Sequence, residues 1–355
     1  MAKFGCDDGF LLGPAPIVFE ALERFERQVK ERCNLVLQRS RTEVFCWEGG
    51  LPEGTPEGLV MAGKEVEGVF ERGYLCYGVA IGSDRYVRHM LAEKVDEVSV
   101  KAERAVKVLA GERQALWAVY KQSITQQMDY WLHLSYPSDM KQAARELDRK
   151  LWRVMEAILG SKVPEGGEER GGDCVVTVPV QKLTGQTFQQ FVVRQPVKRG
   201  GLGCKSMEQI GLAAFIGAVE QSVPELGKTS GLCPQLSSKY GGDDCFSRGA
   251  PADNRWRVMF GSGCRLGEEY KQAWEELQQE ARQCSDWLGK DLEGGLVEPA
   301  VGAGQGSTNG STRKVIVEQL DGLRSEVLTK ALSRYPDRTA RPVWAWRERN
   351  KMSAM

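Results

Sequence analysis

The chain has 355 residues, 41% of them hydrophobic and 27% charged, with 48 basic and 48 acidic side chains and a formal net charge of zero. That is an ordinary globular composition, long enough for about two or three domains. It excludes a protein that binds nucleic acid through a global basic excess, so any such binding must come from local patches.

The first element is Phe4-Gly5-Cys6-Asp7-Asp8-Gly9-Phe10-Leu11-Leu12. Apolar residues flank a turn-prone Asp-Asp-Gly, which predicts strand–turn–strand. Gly13-Pro14-Ala15-Pro16 stops that hairpin, and residues 17–32 have helical spacing, with Val18, Leu22, Phe25 and Val29 on one face. Leu35-Val36-Leu37 and Val44-Phe45-Cys46-Trp47 read as strands around a polar Arg39-Ser40-Arg41-Thr42 turn. Residues 48–58 are a Gly, Pro and Glu-rich loop, and Gly73 to Ile81 is again β-rich. The opening eighty residues are therefore α+β.

From Ser83 the character changes to long helices. Val87, Leu91, Val98, Ala102, Ala105 and Leu109 share one face. A second helix is predicted over 112–135, with Leu116, Val119, Met128 and Leu132 inward. A third starts at Pro137-Ser138. Its Met140, Ala144, Leu147, Leu151, Val154 and Ile158 form the strongest periodic signal in the chain. Three such helices pack as a bundle. The apolar repeat of the third also suits a dimer, although burial inside a bundle is the commoner use.

Residues 160–173 are a polar, Gly-rich linker. Val175 to Val180 follows as a possible strand, and Ser206 to Glu220 as an apolar helix. Residues 227–254 look irregular, and Gly267 to Leu288 is helical, with Tyr270, Trp274, Leu277, Ala281, Cys284 and Leu288 on one side. Residues 294–312 are a Gly/Ser/Thr/Asn spacer. A last helix over 313–334 and a Trp/Arg-rich tail complete the chain.

Ten dispersed cysteines make no closely spaced zinc half-site, and the two histidines, His89 and His133, lie away from them. With no basic-then-apolar leader, free thiols in an intracellular compartment, nuclear or cytoplasmic, are expected. The longest apolar run, Gly211 to Val219, is far below the ~20 residues of a membrane span, so no membrane partner is expected. His133 near the end of an apolar helix reads as a packed, hydrogen-bonded residue.

Asp7 and Asp8 are the leading candidates for chemistry. A carboxylate pair on a tight hairpin suits a hard cation such as Mg2+. An adjacent acidic pair is also a chance event in an acidic chain, and Asp243-Asp244 is a second one. Arg194, Lys198, Arg199 and Lys205 cluster with glycines, so backbone amides there can approach a phosphate; a plain surface turn reads equally well. Arg338, Arg341, Arg347, Arg349 and Lys351, interleaved with Trp344 and Trp346, suit base stacking or docking on the protein body. Lys101, Arg104, Lys107, Arg113 and Lys121 suit either a duplex or a solvated face, since Glu103 and Glu112 are mixed in.

The succession of hairpin, helix, Arg-Ser-Arg-Thr turn and Gly73-Tyr-Leu-Cys-Tyr-Gly-Val resembles the second half of the palm of a reverse transcriptase, and most of all those of non-LTR retrotransposons. Cys6-Asp7-Asp8 is similar to the family's metal-binding Tyr-x-Asp-Asp hairpin, Arg41-Thr42 to its Lys-Thr, and Tyr77-Gly78-Val79 to its primer-grip hairpin. Arg199-Gly200-Gly201-Leu202-Gly203-Cys204-Lys205-Ser206 and Arg341-Pro342-Val343-Trp344-Ala345-Trp346 are similar to stretches that follow such palms. The resemblance covers most of the chain.

It implies an α+β fold: a partial palm over 1–82, a thumb-like three-helix bundle over 83–160, a linker over 161–173, and a helical C-terminal domain over 174–293. A linker over 294–312 and a terminal helix and tail over 313–355 then follow. It implies RNA-templated DNA synthesis with Mg2+, with Asp7 and Asp8 as metal ligands and Arg41 as a catalytic residue. Tyr77, Gly78, Arg194, Lys198, Arg199 and Lys205 would contact nucleic acid, and the partners are an RNA template and a DNA primer. Gly5 stands where the family has an aromatic residue. Arg41 replaces a lysine, and so replaces a proton donor by a group that stays charged. Fingers and the palm strand bearing a further Asp are expected to be missing. Two-metal transfer needs that carboxylate, so the expectation is a truncated enzyme, inactive alone. The alternative is a non-catalytic helical scaffold that binds nucleic acid or protein.

Overall fold

The computed structural model describes residues 2–5, 8–47, 49–160, 193–197, 201–204, 206–228, 265–289, 296 and 311–334. Among the described residues the fold is α+β, mostly helical with three small sheets, two antiparallel and one a short parallel pair. The chain divides into two compact units, Met1–Leu91 and Ala92–Met355.

The first unit opens with β1 (Ala2–Gly5) and β2 (Asp8–Leu11), antiparallel, with Gly5 opposite Asp8 and Ala2 opposite Leu11. The expected hairpin forms, but Asp8 and Gly9 belong to the second strand rather than to the turn. Next, α1 (Ala15–Cys33) buries Phe19 and half-buries Val18, Leu22, Phe25 and Val29, the face that its spacing marks out. The helix ends at Asn34, which adopts a left-handed conformation (φ 54°) and donates its amide to Lys30 O at 3.1 Å. Asn is among the few residues that take this cap readily.

Leu35-Val36-Leu37 corrects the sequence expectation, since no strand forms there. Leu35 and Val36 are 61% and 74% exposed. The left-handed cap turns the chain straight into a single 3-10 turn over Arg39–Arg41, so these apolar residues have no neighbouring strand to pair with. The next strand is also shorter than expected. β3 is only Glu43–Val44, paired in parallel with β4 (Val60–Met61). Phe45 and Trp47 leave the sheet and pack on aromatic rings instead.

β5 (Gly63–Val66), β6 (Val69–Cys76) and β7 (Val79–Gly82) form an antiparallel meander. Its turns, Glu67-Gly68 and Tyr77-Gly78, have positive φ at both residues, as two-residue hairpins of matching twist require. Gly73 faces Gly82 across the sheet, and a Cβ on Gly73 would overlap the ring of buried Tyr86. Tyr86 belongs to α2 (Asp84–Val108), which Ser83 caps: its Oγ accepts the Tyr86 amide at 3.2 Å and donates to Glu71 Oε2 at 2.7 Å.

The second unit is helical. After α2 come α3 (Arg113–Val119), a π turn (Tyr120–Ile124), a 3-10 turn (Thr125–Met128) and α4 (Asp129–Leu134). Leu116, Met128 and Leu132 are buried as their spacing predicts, but Val119 is 37% exposed and Tyr120 is buried in its place. The wide π turn accounts for this. Leu116, Tyr120 and Ile124 are four residues apart, a spacing that drifts round a 3.6-residue helix unless one turn is widened.

α5 (Pro137–Leu159) buries Met140, Ala144, Leu147, Leu151 and Val154 within the chain. α6 (Met207–Lys228) lies against α4, α5, α7 (Arg265–Leu288) and α8 (Ser311–Arg334). Four consecutive residues of α6, Ala213, Ala214, Phe215 and Ile216, are at most 3% exposed, the mark of a helix enclosed on every side. The core continues through Tyr270, Ala273, Leu277 and Ala281 of α7 and Ile316 and Leu320 of α8. Helices from both sides of the expected linker thus share one packed unit. The possible strand at Val175–Val180 and the tail after Arg334 lie outside the described residues. No helix among the described residues is long and apolar enough to cross a membrane.

Candidate metal and nucleic-acid site

Asp8 is the first residue of β2. Asp7 lies outside the described residues, as do Lys198, Arg199 and Lys205. Phe10, two positions after Asp8, meets two rings of β6 and its turn: Tyr74 at 6.4 Å and Tyr77 at 5.2 Å between centroids. Tyr74 also meets Phe45 at 5.0 Å, and Phe45 meets the Trp47 edge at 4.8 Å. These tilted and edge-on geometries are the favoured ones for aromatic pairs. The cluster ties together the hairpin that begins β2 at Asp8, the segment that follows Arg41-Thr42, and the Tyr77-Gly78 turn. Sequence spacing does not reveal it, because its members are up to 67 positions apart in the chain. Burial pushes the Tyr74 hydroxyl pKa up, with the Cys76 thiolate adding to the effect.

Arg41 ends the 3-10 turn and is exposed. Its neighbour Arg39 is committed elsewhere. The Arg39 guanidinium binds Glu26 of α1 (Nη2 to Oε2, 2.6 Å) and donates to the Glu57 carbonyl at 3.1 Å. That hydrogen bond holds the Glu26 carboxyl below its usual range. The turn is further closed by Thr42 N to Arg39 O at 3.0 Å. Of the two arginines, Arg39 therefore anchors the turn and Arg41 is presented to solvent.

Tyr77 and Gly78 occupy the two central positions of the β6–β7 turn, with φ of 50° and 82°. The Tyr77 ring is 49% exposed. Glycine, asparagine and aspartate are the usual residues at such a position, so a tyrosine there carries backbone strain.

Arg194 sits in the second unit, and its surroundings are internal. Its guanidinium lies 3.6 Å from Asp148 of α5, with side-chain exposures of 15% and 10%. Asp148 also accepts from Ser206 Oγ at 2.5 Å and from the amides of Met207 at 2.8 Å and Glu208 at 3.3 Å. A carboxylate of one helix thereby caps the first turn of α6, where orphan amides and the helix dipole favour negative charge. Burial pushes the Asp148 carboxyl up, and Arg194 and the hydrogen bonds oppose that. Gly201 and Gly203 close a tight turn onto Gln195, with Gly203 N donating to Gln195 O at 2.8 Å. A Cβ at Gly201 would overlap that backbone. Cys204 is buried and its thiol is pushed up to about 12, so it is an inert thiol at neutral pH.

The same device recurs at the start of α5. Glu269 of α7 accepts from the Ser138 amide at 3.2 Å and from its hydroxyl. Arg265 binds Asp139 Oδ2 at 2.7 Å and lies 4.4 Å over the Tyr136 ring. The sequence held a signal for Asp148, which lies four positions after Ala144 and three before Leu151, inside an otherwise apolar stripe. His133 donates from Nδ1 to the Asp129 carbonyl at 2.6 Å, a packed helical histidine as its setting suggests. On the exposed basic helices, Lys101 pairs with Glu97 at 2.5 Å and Lys121 lies 5.8 Å over the Trp117 ring.

Among the described residues, no three of His, Cys, Asp and Glu gather into a metal-binding group. Adjacent hard carboxylates fit one Mg2+ with water completing the shell, but they do not make a ligand set for two ions. No family model, curated protein sequence or solved structure matches the chain.

Proposed function

We propose that this chain carries the second half of a palm and the thumb of a reverse transcriptase of non-LTR retrotransposon type, and that its own capacity is binding an RNA–DNA duplex. What supports the reading is the aromatic cluster of Phe10, Phe45, Tyr74 and Tyr77. It joins β2, which begins at Asp8, the segment that follows Arg41-Thr42, and β6 with its Tyr77-Gly78 turn through a chain of ring contacts. In this reading Asp7 and Asp8 hold Mg2+. When bound, that cation neutralises charge developing at the transferred phosphate and orients the attacking oxygen. Arg41 faces the charge of the leaving pyrophosphate with a guanidinium in place of the family's lysine. The Tyr77-Gly78 turn lies against the primer strand. RNA-templated DNA synthesis needs a further carboxylate beside the aspartates, and the capacity this reading assigns to residues 1–355 is duplex binding.

The experiment is a fluorescence-anisotropy titration of an RNA–DNA hybrid over a range of salt, beside a primer-extension assay on an RNA template. The expected result is binding that weakens steeply with salt, as phosphate neutralisation requires, and no extension. Absence of hybrid binding at low salt overturns the reading. Robust Mg2+-dependent extension abolished by Asp8→Ala overturns the claim of inactivity and keeps the site.

A second reading is a helical interaction scaffold without catalytic work. Several exposed cations of the second unit are matched by acids, as in Lys94 and Lys101 with Glu97 and Arg149 with Glu146, which leaves less free charge for phosphate. Hybrid binding without a salt slope favours this scaffold.

A further inference from the structure

We draw no further inference here: the strongest candidate, the surface patch of exposed rings Trp47, Phe70 and Tyr77 beside the β5–β6–β7 meander, carries nothing because nothing in the structure shows what covers it.

Discussion

The two units solve the burial problem in opposite ways. Residues 1–91 build small sheets and leave many large apolar side chains in water: Leu35, Val36, Trp47, Phe70 and Leu75 are all 46–74% exposed. Residues from 92 onward enclose the middle of a helix, Ala213–Ile216 of α6, and bury Asp139, Glu269 and Arg324, with Asp148 nearly so at 10% side-chain exposure. The buried charges are paired. Arg324 binds Glu280 at 2.6 Å, and Asp148 and Glu269 each cap a neighbouring helix. The helical unit therefore uses buried polar contacts to cap its helices, whereas the polar contacts of the sheet unit, such as Arg39 with Glu26, are more open to solvent and are joined by ring contacts. The residues on which the proposed function rests, Asp8, Arg41, Tyr77 and Gly78 among them, belong to the first unit.

The sharpest way to break that comparison is to remove a buried cap. Asp148→Ala leaves the Arg194 guanidinium and the first amides of α6 without their acceptor, and should cost about 3–5 kcal/mol in urea denaturation. A loss below about 1 kcal/mol would mean that the helical unit does not depend on its buried polar contacts. In the sheet unit, Gly73→Ala drives a Cβ into Tyr86 and should cost about 1–3 kcal/mol, with protection against hydrogen exchange lost in β6 and β7 first. Ser83→Ala removes the cap of α2 and should cost about 1 kcal/mol by the same measurement.

The smallest expected effect is the most diagnostic, because it has opposite signs in the two units. Burial raises Asp148 above its ordinary 3.8, so the folded state binds that proton more tightly than the unfolded state. Its contribution to stability is full below 3.8 and is lost as pH rises through the folded value. Glu26 is lowered from 4.5 by Arg39, so its contribution is present above 4.5 and is lost as pH falls through the folded value. Denaturation followed from pH 3 to pH 7 should therefore show a shallower acid loss in wild type than in Asp148→Asn, and a steeper one than in Glu26→Gln. Identical slopes in all three would remove both groups from the pH dependence.

Much of the helical unit was legible from spacing alone. The stripe Met140, Ala144, Leu147, Leu151 and Val154 is buried as the repeat of α5 dictates, and the enclosed α6 coincides with the most apolar run of the chain. The sheet unit was less legible. The hairpin around Asp7-Asp8 and the Tyr77-Gly78 turn carry local signals. β5 was missed, although the Glu67-Gly68 pair between Val66 and Val69 marks the same kind of turn. Leu35-Val36-Leu37 has strand-like residues and no strand to pair with, and the two-residue parallel ladder of β3 with β4 joins segments 17 positions apart.

The amino-acid sequence by itself determined roughly where the long helices run and which faces they bury, together with the Tyr77-Gly78 turn. These follow from contacts within four residues, whose geometry the backbone sets everywhere alike. Only the tertiary structure decided that Asp148 caps a helix beginning 59 residues later, that Arg39 is consumed by Glu26 while Arg41 is left exposed, and that Phe10 rests on Tyr77. Each of these depends on which distant elements meet, and the same aspartate, arginine or phenylalanine would read identically in the sequence had they met elsewhere.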